Sequence, residues 1–392
     1  MATAAPATFL PRPTSSWPAL ELRVVARPSA TEVFLTGVAA PGSAGAEAAR
    51  LYGEVADALA TLGVQPLHEK LYGRMAAREP ALAARAAALR GAGLDPGLPC
   101  TFLQGAPVHA GELAGVQVWG VIPKGGAAAV TSAGGPGPGR GRCWTGPGYR
   151  LLHLSGLAGA GPTVTAQAEG MWIAAVAALE RHGLSLTDVP RTWITMARIL
   201  DWYGEFNRVR TCLFERHGVG ADPARSFPAS TGIQGRAGDE ECLLELLAVG
   251  GPAARITPIH ATSRQQRAFD YGSAFSRGAA VAFEGRETVF VSGTASLDAA
   301  GRTLHVGQPE QQVLETLLGV AAVLEARGAG LEDLCQATVF CKTPAVYRAY
   351  QHVSRLLSIP PLPAVPVLAD VCRPELLVEV EAIGAPPAEG AP

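Results

Sequence analysis

The sequence predicts an α+β fold made of three fused β-α-β units, and three observations predict it. Leu179-Glu180, Gly183, Leu186 and Asp188 recur at one constant offset as Leu324-Glu325, Gly328, Leu331 and Asp333, the mark of an internal repeat. Upstream of each copy runs a β-rich segment ending in Ser-Gly, His153-Leu154-Ser155-Gly156 and Phe290-Val291-Ser292-Gly293, and Phe34-Leu35-Thr36-Gly37 is a third version. Each copy then passes an apolar-periodic stretch ending at Gly63, Gly183 or Gly328, a proline (Pro99, Pro228 or Pro363), and a last strand. Those last strands are Val116-Gln117-Val118, Leu244-Glu245-Leu246 and Val378-Glu379-Val380.

The third unit shows the elements in order. Val313, Leu314, Leu317, Val320, Ala321 and Leu324 fall at helical spacing after Pro309, a residue suited to a first helical turn. Ala337-Thr338-Val339-Phe340-Cys341 is β-like, and Thr343-Pro344 caps a second helix with apolar positions Val346, Tyr350, Val353 and Leu357. The order read is β-hairpin, helix, strand, helix, strand pair. A sheet backed by helices on one face leaves the other open, which invites three units to assemble about a common axis as an intramolecular pseudo-trimer.

The expected organisation is a flexible N-terminus over 1–20, a degenerate first unit over 21–123, and a Gly/Pro-rich linker over 124–148. A second unit over 149–250, a third, catalytic unit over 251–384 and a disordered tail over 385–392 complete it. The linker holds Gly134-Gly135-Pro136-Gly137-Pro138-Gly139. With no strand before it and no helix after it, it is not expected to cradle phosphate.

Composition excludes several classes. With 48% hydrophobic and 17% charged residues and a formal net charge of −2, the chain reads as globular and lacks the basic excess that nucleic acid or an anionic membrane would need. Its seven cysteines contain no C-x-x-C pair and its eight histidines no H-x-x-x-H or H-E-x-x-H, so neither a disulfide framework nor a metal site is expected. No G-x-S-x-G elbow is present. Met1 to Leu20 lacks a charged n-region and is interrupted by prolines, and apolar runs such as Met171 to Leu179 are too short to span a membrane. A cytoplasmic protein is the expectation.

In the last third, Val291-Ser292-Gly293, Thr338-Val339-Phe340-Cys341-Lys342, Pro363-Ala364 and Val378-Glu379-Val380-Glu381-Ala382 resemble the RidA/YjgF fold, a family of homotrimers with sites between subunits. Imine-deaminating members carry an arginine where Val365 stands here. Over most of its length the chain resembles the chorismatases, which remove pyruvate from chorismate on a fused scaffold of the same, chorismate-mutase-like, kind. That resemblance rests on Trp202-Tyr203-Gly204-Glu205-Phe206-Asn207-Arg208-Val209-Arg210, Pro228-Ala229-Ser230-Thr231-Gly232, Tyr271-Gly272-Ser273-Ala274-Phe275-Ser276-Arg277 and Ser292-Gly293-Thr294-Ala295-Ser296.

Chorismate carries two carboxylates and a vinyl ether, so its catalyst needs cations to hold it and an acid to protonate the enolpyruvyl methylene carbon. Period two places Glu379 and Glu381 on one strand face. The resemblance makes Glu379 the acid, with Glu245, read as the same position in the second copy, its rival. It also implies that Cys372 goes with members that form 3-hydroxybenzoate, whereas purely hydrolytic members have a small non-nucleophilic residue there. Arginine suits paired carboxylate oxygens, and the candidates are Arg277, Arg198 and Arg210. Tyr203 is a further donor, and Gly278 is the residue expected to leave room beside the ring. The expected function is a cofactor-free, monomeric 3-hydroxybenzoate-forming chorismatase of secondary metabolism, a lyase whose partner is its small-molecule substrate. A hydrolytic chorismatase giving 3,4-dihydroxycyclohexa-1,5-dienoate and a non-catalytic RidA-like ligand-binding protein are the alternatives.

Overall fold

The computed structural model describes residues 17–134 and 139–388. Its first part runs β1 (Leu20–Ala26), β2 (Ala30–Val38), α1 (Ala44–Leu62), β3 (Gln65–Gly73), α2 (Arg78–Gly91), β4 (Thr101–Gln104), β5 (Ala106–Pro107) and β6 (Leu113–Pro123). The second runs β7 (Ala129–Ser132), β8 (Arg140–Gly146), β9 (Tyr149–Leu157), α3 (Val164–Arg181), β10 (Arg191–Met196), α4 (Ile199–Arg216), β11 (Ala229–Gln234) and β12 (Cys242–Gly250). The third runs β13 (Arg255–Ile259), β14 (Gly278–Phe283), β15 (Arg286–Thr294), α5 (Pro309–Glu325), β16 (Leu334–Cys341), α6 (Pro344–Leu356), β17 (Ala364–Leu368) and β18 (Val378–Gly384).

Helix ends follow the local chemistry that the sequence carries. Gly63 adopts φ 68° after α1, where its N–H closes onto the carbonyls of the last turn, a left-handed cap that costs glycine little. Pro309 opens α5, and the Thr343 hydroxyl accepts from the Val346 N–H at the start of α6. Apolar stripes of α1, α3 and α5 then pack on their sheets and form three separate cores. Leu51, Val55 and Leu59 lie in the first, Met171, Trp172 and Leu179 in the second, and Val313, Leu317 and Val320 in the third.

Three sheets result, ordered β1-β2-β6-β3-β4, β11-β10-β12-β9-β8-β7 and β13-β14-β15-β18-β16-β17-β5. Each repeats one pattern. A hairpin pairs with the last strand, the last strand pairs with the middle strand, and the next strand lies parallel to the middle one, with β5 added antiparallel beyond β17 in the third sheet. The expected closing strand pair is therefore corrected: β18 inserts antiparallel between β15 and β16, while β17 is parallel to β16. Parallel neighbours need a crossover, and α6 supplies it.

The helix-free faces meet one another. Gln117 Nε2 of the first sheet donates to the Ala337 carbonyl of the third at 2.6 Å, and Gln336 Nε2 of the third donates to the Leu35 carbonyl of the first at 3.1 Å. Between first and third sheets, Trp119 packs against Phe290, and Trp144 of the second packs edge-on to Phe283 of the third.

The expected flexible join over 124–148 is not an open loop. β7 and β8 pair across it, and β8 is the first hairpin strand of the second sheet. A strand thus precedes the glycine run, of which residues 135–138 lie outside the described residues. The expected flexible start falls largely outside them, as do residues 389–392 of the expected disordered tail, whereas the Ala385 N–H donates to the Asp333 carbonyl and the Pro386 carbonyl accepts from Arg286, each at 3.1 Å. Where described, the start is pinned: Trp17 Nε1 donates to Asp57 at 2.7 Å and the Ala19 N–H to Glu54 at 2.8 Å.

Arg27 ties the first sheet to the third. Its Nε donates to Glu32 at 2.5 Å, Nη1 to the carbonyls of Phe283 and Arg286, and Nη2 to Thr288 Oγ1, with the whole side chain buried. Arg27→Ala leaves Glu32 buried without its cation, a loss of about 3–5 kcal/mol. Urea unfolding of the variant is the measurement, and a midpoint equal to that of the parent chain contradicts this role.

Candidate active site

Strand register decides which residues correspond among the three sheets. Leu154 faces Leu246 just before Ser155-Gly156, and Val291 faces Ala382 just before Ser292-Gly293. Leu246 therefore matches Ala382, and Glu245 matches Glu381, not Glu379. The first sheet agrees, because Leu35 faces Val118 and Thr36 faces Gln117. The counterparts of Glu379 are Leu243 and Gly115. Glu245 is thereby corrected as the second copy of the acid, since a one-triplet match of strand sequence slipped the register by two residues.

Glu379 lies on β18, faces Phe340 of β16 and is 5% exposed. A Cβ on Gly293 would collide with its Oε1, so the glycine makes room for the carboxyl. Oε1 is buried and accepts no hydrogen bond among the described residues. Burial first, then the neighbouring Glu381 charge, push the Glu379 carboxyl up to about 8, with Arg191 opposing. At neutral pH it therefore keeps its proton.

The charge that Glu381 carries is held by the other two sheets. Arg191 Nη2 of β10 donates to Glu381 Oε2 at 2.7 Å and to Thr231 Oγ1 at 2.6 Å, while Lys70 of β3 stands 3.5 Å from Glu381 Oε1. Burial works against ionising Glu381, but Lys70 and Arg191 hold it below the usual carboxylate range. Lys70 also lies 3.9 Å from Glu245, which meets His68 Nε2 at 3.3 Å and accepts from Thr101. Burial keeps His68 and its stacking partner His153 well below the usual imidazole range, so both are neutral. Arg191 and Lys70 thus hold the charge on Glu381, and that charge opposes a second one on Glu379.

Across from Glu379 stand β11 and α4 of the second sheet. The Ser230 N–H donates to Ser292 Oγ at 2.9 Å and the Gly293 N–H to Thr231 Oγ1 at 3.1 Å, which joins β11 to β15. From α4, Arg210 is buried, donating to Asn207 Oδ1 at 2.8 Å and to Ser230 Oγ at 3.4 Å, with Nε unpartnered. Tyr203, on the same helix, packs with its ring 3.4 Å from the position a Cβ on Gly232 would take. Burial raises its hydroxyl pKa, and the charges of Cys372 and Glu379 add to the rise.

Cys372, in the loop between β17 and β18, packs with Tyr203 against the second core and also touches the Val371 and Leu376 cluster. Burial first and the Glu379 charge second push its thiol up to about 12, so it is a thiol and not a thiolate at neutral pH. Arg277 precedes β14 and is 2% exposed; its Nε donates to the Gln266 carbonyl at 2.9 Å, and its Nη2 is buried without a partner. Its guanidinium stands 5.4 Å from the Tyr271 ring centre.

Glu379, Cys372, Tyr203, Arg210 and Arg277 are thus gathered between the second and third sheets. Two expected residues are not. The Arg198 side chain is 53% exposed and pairs with Asp201 at 3.7 Å and Glu241 at 3.0 Å, because the chain turns away from the cleft at φ 52° before entering α4. A Cβ on Gly278 would meet Val323, Ile259 and the Phe290 carbonyl, so it faces the helix side of its sheet, opposite to Arg277 by strand alternation. Sequence reading missed Arg191, Thr231, Lys70 and Tyr271. Arg191 did carry a signal, as a cation opening the apolar strand Arg191–Met196, whereas Lys70 follows His68 and Glu69 in a polar run.

The raised Glu379 pKa makes a stability prediction that needs no substrate. Between the ordinary carboxylate pKa and about 8 the folded chain binds a proton that the unfolded chain has released, so this group's stabilising contribution is full at low pH and is lost as pH rises towards 8. Glu379→Gln removes that dependence. Its stability relative to the parent chain rises from pH 5 to pH 8, by at most about 1.4 kcal/mol per pH unit. Urea unfolding across that range measures it, and a constant difference contradicts a buried neutral acid.

Residues 268–385 match the family model described as Endoribonuclease L-PSP. Over most of the chain, the fold is that of a crystal structure of a chorismatase, at 19% identity and a TM-score of 0.59, covering 81% of this chain and 92% of that one. The YjgF gene product of E. coli matches 33% of this chain and 98% of its own at 21% identity and a TM-score of 0.26. A YjgF family member from Neisseria meningitidis matches 34% and 95%, at 17% identity and the same score. Among the described residues no helix is long and apolar enough to cross a membrane, and no group of side chains is placed to hold a metal ion. The chain therefore has a chorismatase-like α+β fold whose last third is similar to the L-PSP family.

Proposed function

We propose that the chain is a chorismatase that releases pyruvate from chorismate and forms 3-hydroxybenzoate, working in the cleft between the second and third of three units arranged as an intramolecular pseudo-trimer. One observation carries the reading: a buried carboxyl whose pKa is raised to about 8 lies between the second and third sheets with two buried arginines and a partly buried thiol. Fold likeness alone would not select an activity.

Each group has a task in this chemistry. Glu379 gives its proton to the methylene carbon of the vinyl ether, a step that needs a neutral acid at working pH. Arg277, with an unpartnered buried Nη2, and Arg210 hold the carboxylates, and Tyr203 donates a further hydrogen bond. Cys372 steers the ring. Formation of 3-hydroxybenzoate and pyruvate consumes no water, whereas the dihydroxycyclohexadiene carboxylate requires one, so a polarizable thiol at the ring favours the first by occupying the place of water. No cofactor enters these steps.

Glu379→Gln is expected to lose at least about a hundredfold in kcat while substrate binding persists. In the parent chain, turnover falls as pH rises through about 8, where the acid loses its proton. A Glu379→Gln enzyme as fast as the parent removes the acid from Glu379. Cys372→Ala is expected to keep pyruvate release and shift the ring product towards the dihydroxycyclohexadiene carboxylate. Pyruvate and both ring products are measured together by mass and ultraviolet spectrum. An unchanged product ratio in a folded Cys372→Ala protein ends the steering role, and a parent chain that leaves chorismate intact favours a ligand-binding protein.

A further inference from the structure

The cleft between the first and second sheets is the topological counterpart of the one just described, and it is built differently. Arg140 faces Ser155 across the β8–β9 hairpin, as Arg277 faces Ser292 through its carbonyl, so the two arginines correspond. Thr101 faces Lys70, and Thr231 faces Trp193, the residues that pair with Gln117 and Glu245, so the edge-strand threonines correspond as well. Where the first cleft has Glu379, this one has Leu243. A cavity of about 480 Å³ lies here, lined by Arg78, Arg85, Arg140, Thr101, Phe102 and Leu243 among others.

Its cations differ in availability. Arg85 is spent: Nε and Nη2 grip Glu69 at 2.7 and 2.6 Å, and further bonds go to the Pro96 and Leu98 carbonyls. Arg78 pairs through Nη1 with the exposed Glu79 at 2.5 Å, and its Nε is buried with no partner. Arg140 is exposed at the mouth and makes no ion pair or hydrogen bond through its guanidinium with any described residue. Positive charge at the entrance and an apolar wall of Phe102 and Leu243 behind it suit a ligand with one anionic end and an apolar body.

We propose that this second cleft binds a small organic carboxylate with an apolar ring and does not transform it, having an arginine where the first cleft has Arg277 and a leucine where it has the acid. The choice of a carboxylate rests on the reading of Arg277 above; the binding itself does not require that any turnover occur.

The test titrates 4-fluorobenzoate, followed by fluorine NMR and calorimetry, into the full chain and into Arg140→Ala, Leu243→Trp and Arg277→Ala. The parent chain should bind, Arg277→Ala should retain a binding component, and Arg140→Ala should weaken that component about tenfold or more, the range for losing a charge-assisted bond. Leu243→Trp, which fills the cavity, should abolish it, and neutral 4-fluorobenzamide should bind less tightly than the acid. No binding to the parent chain, binding unaffected by Arg140→Ala, or complete loss in Arg277→Ala overturns the proposal. Arg140→Ala is exposed and leaves the core untouched, so its result does not depend on the fate of Leu243→Trp. Chorismate turnover assayed on the same Arg140→Ala sample separates the two readings, because it tests the first cleft alone.

Discussion

A carboxylate buried where three sheets meet governs this molecule. Glu381 comes from the third sheet, Arg191 from the second and Lys70 from the first, with separations of 2.7 and 3.5 Å. Taking such charges out of water is costly, and the cost is met only when all partners are present with good geometry. Arg191 and Glu381 each find a threonine hydroxyl in their own sheet, but their opposite charges come from other sheets, as does that of Lys70, so the trio makes closure of the three open faces a condition of burying any of them. The same trio sets the electrostatics of its neighbour. Burial and the charge of Glu381 together outweigh the pull of Arg191 on Glu379, which therefore holds its proton.

One backbone pattern repeated three times has been differentiated by a few side chains. At the position of Glu379 the sheets carry Gly115, Leu243 and Glu379; at the position of Arg277 they carry Glu21, Arg140 and Arg277. The cleft between the third sheet and the first has Gly115 where the acid would stand and Glu21 where the arginine would. It is also closed, since a Cβ on Gly115 would press on Val365, and Thr36 Oγ1 donates to the Pro363 carbonyl at 3.4 Å. Removing the acid from two clefts confines a neutral carboxyl, which is expensive to bury when ionised, to a single place.

The helix caps, the three Ser-Gly or Thr-Gly strand ends and the acid on β18 were legible because each depends on neighbours within a few residues. Thr343, Pro309 and Gly63 act where short-range rules place them. Register was less legible. Triplets with an acid or amide between apolar residues look alike in all three last strands, yet β18 aligns its second acid, Glu381, with Gln117 and Glu245. A shift of two residues preserves strand alternation, so the pattern of apolar and polar residues cannot detect it. The same alternation explains Gly278, one residue from Arg277 and on the opposite face.

The sequence by itself determined the mixed α+β character, the helix ends, and the presence of Glu379 on the closing strand with Cys372 seven positions before it, since periodicity, turn residues and motif spacing are local properties of the chain. Tertiary structure alone decided which residues share a cleft. Lys70, Arg191 and Glu381 are far apart in sequence, and the pKa of Glu379 depends on how those charges and the surrounding burial add in three dimensions. Arg198 and Arg210 look equally suited in the chain, but a left-handed turn at Arg198 sends one to solvent while helical spacing carries the other inward. Desolvation and Coulomb energy depend on distance through space, and no spacing along the chain encodes that distance when three sheets must close to create it.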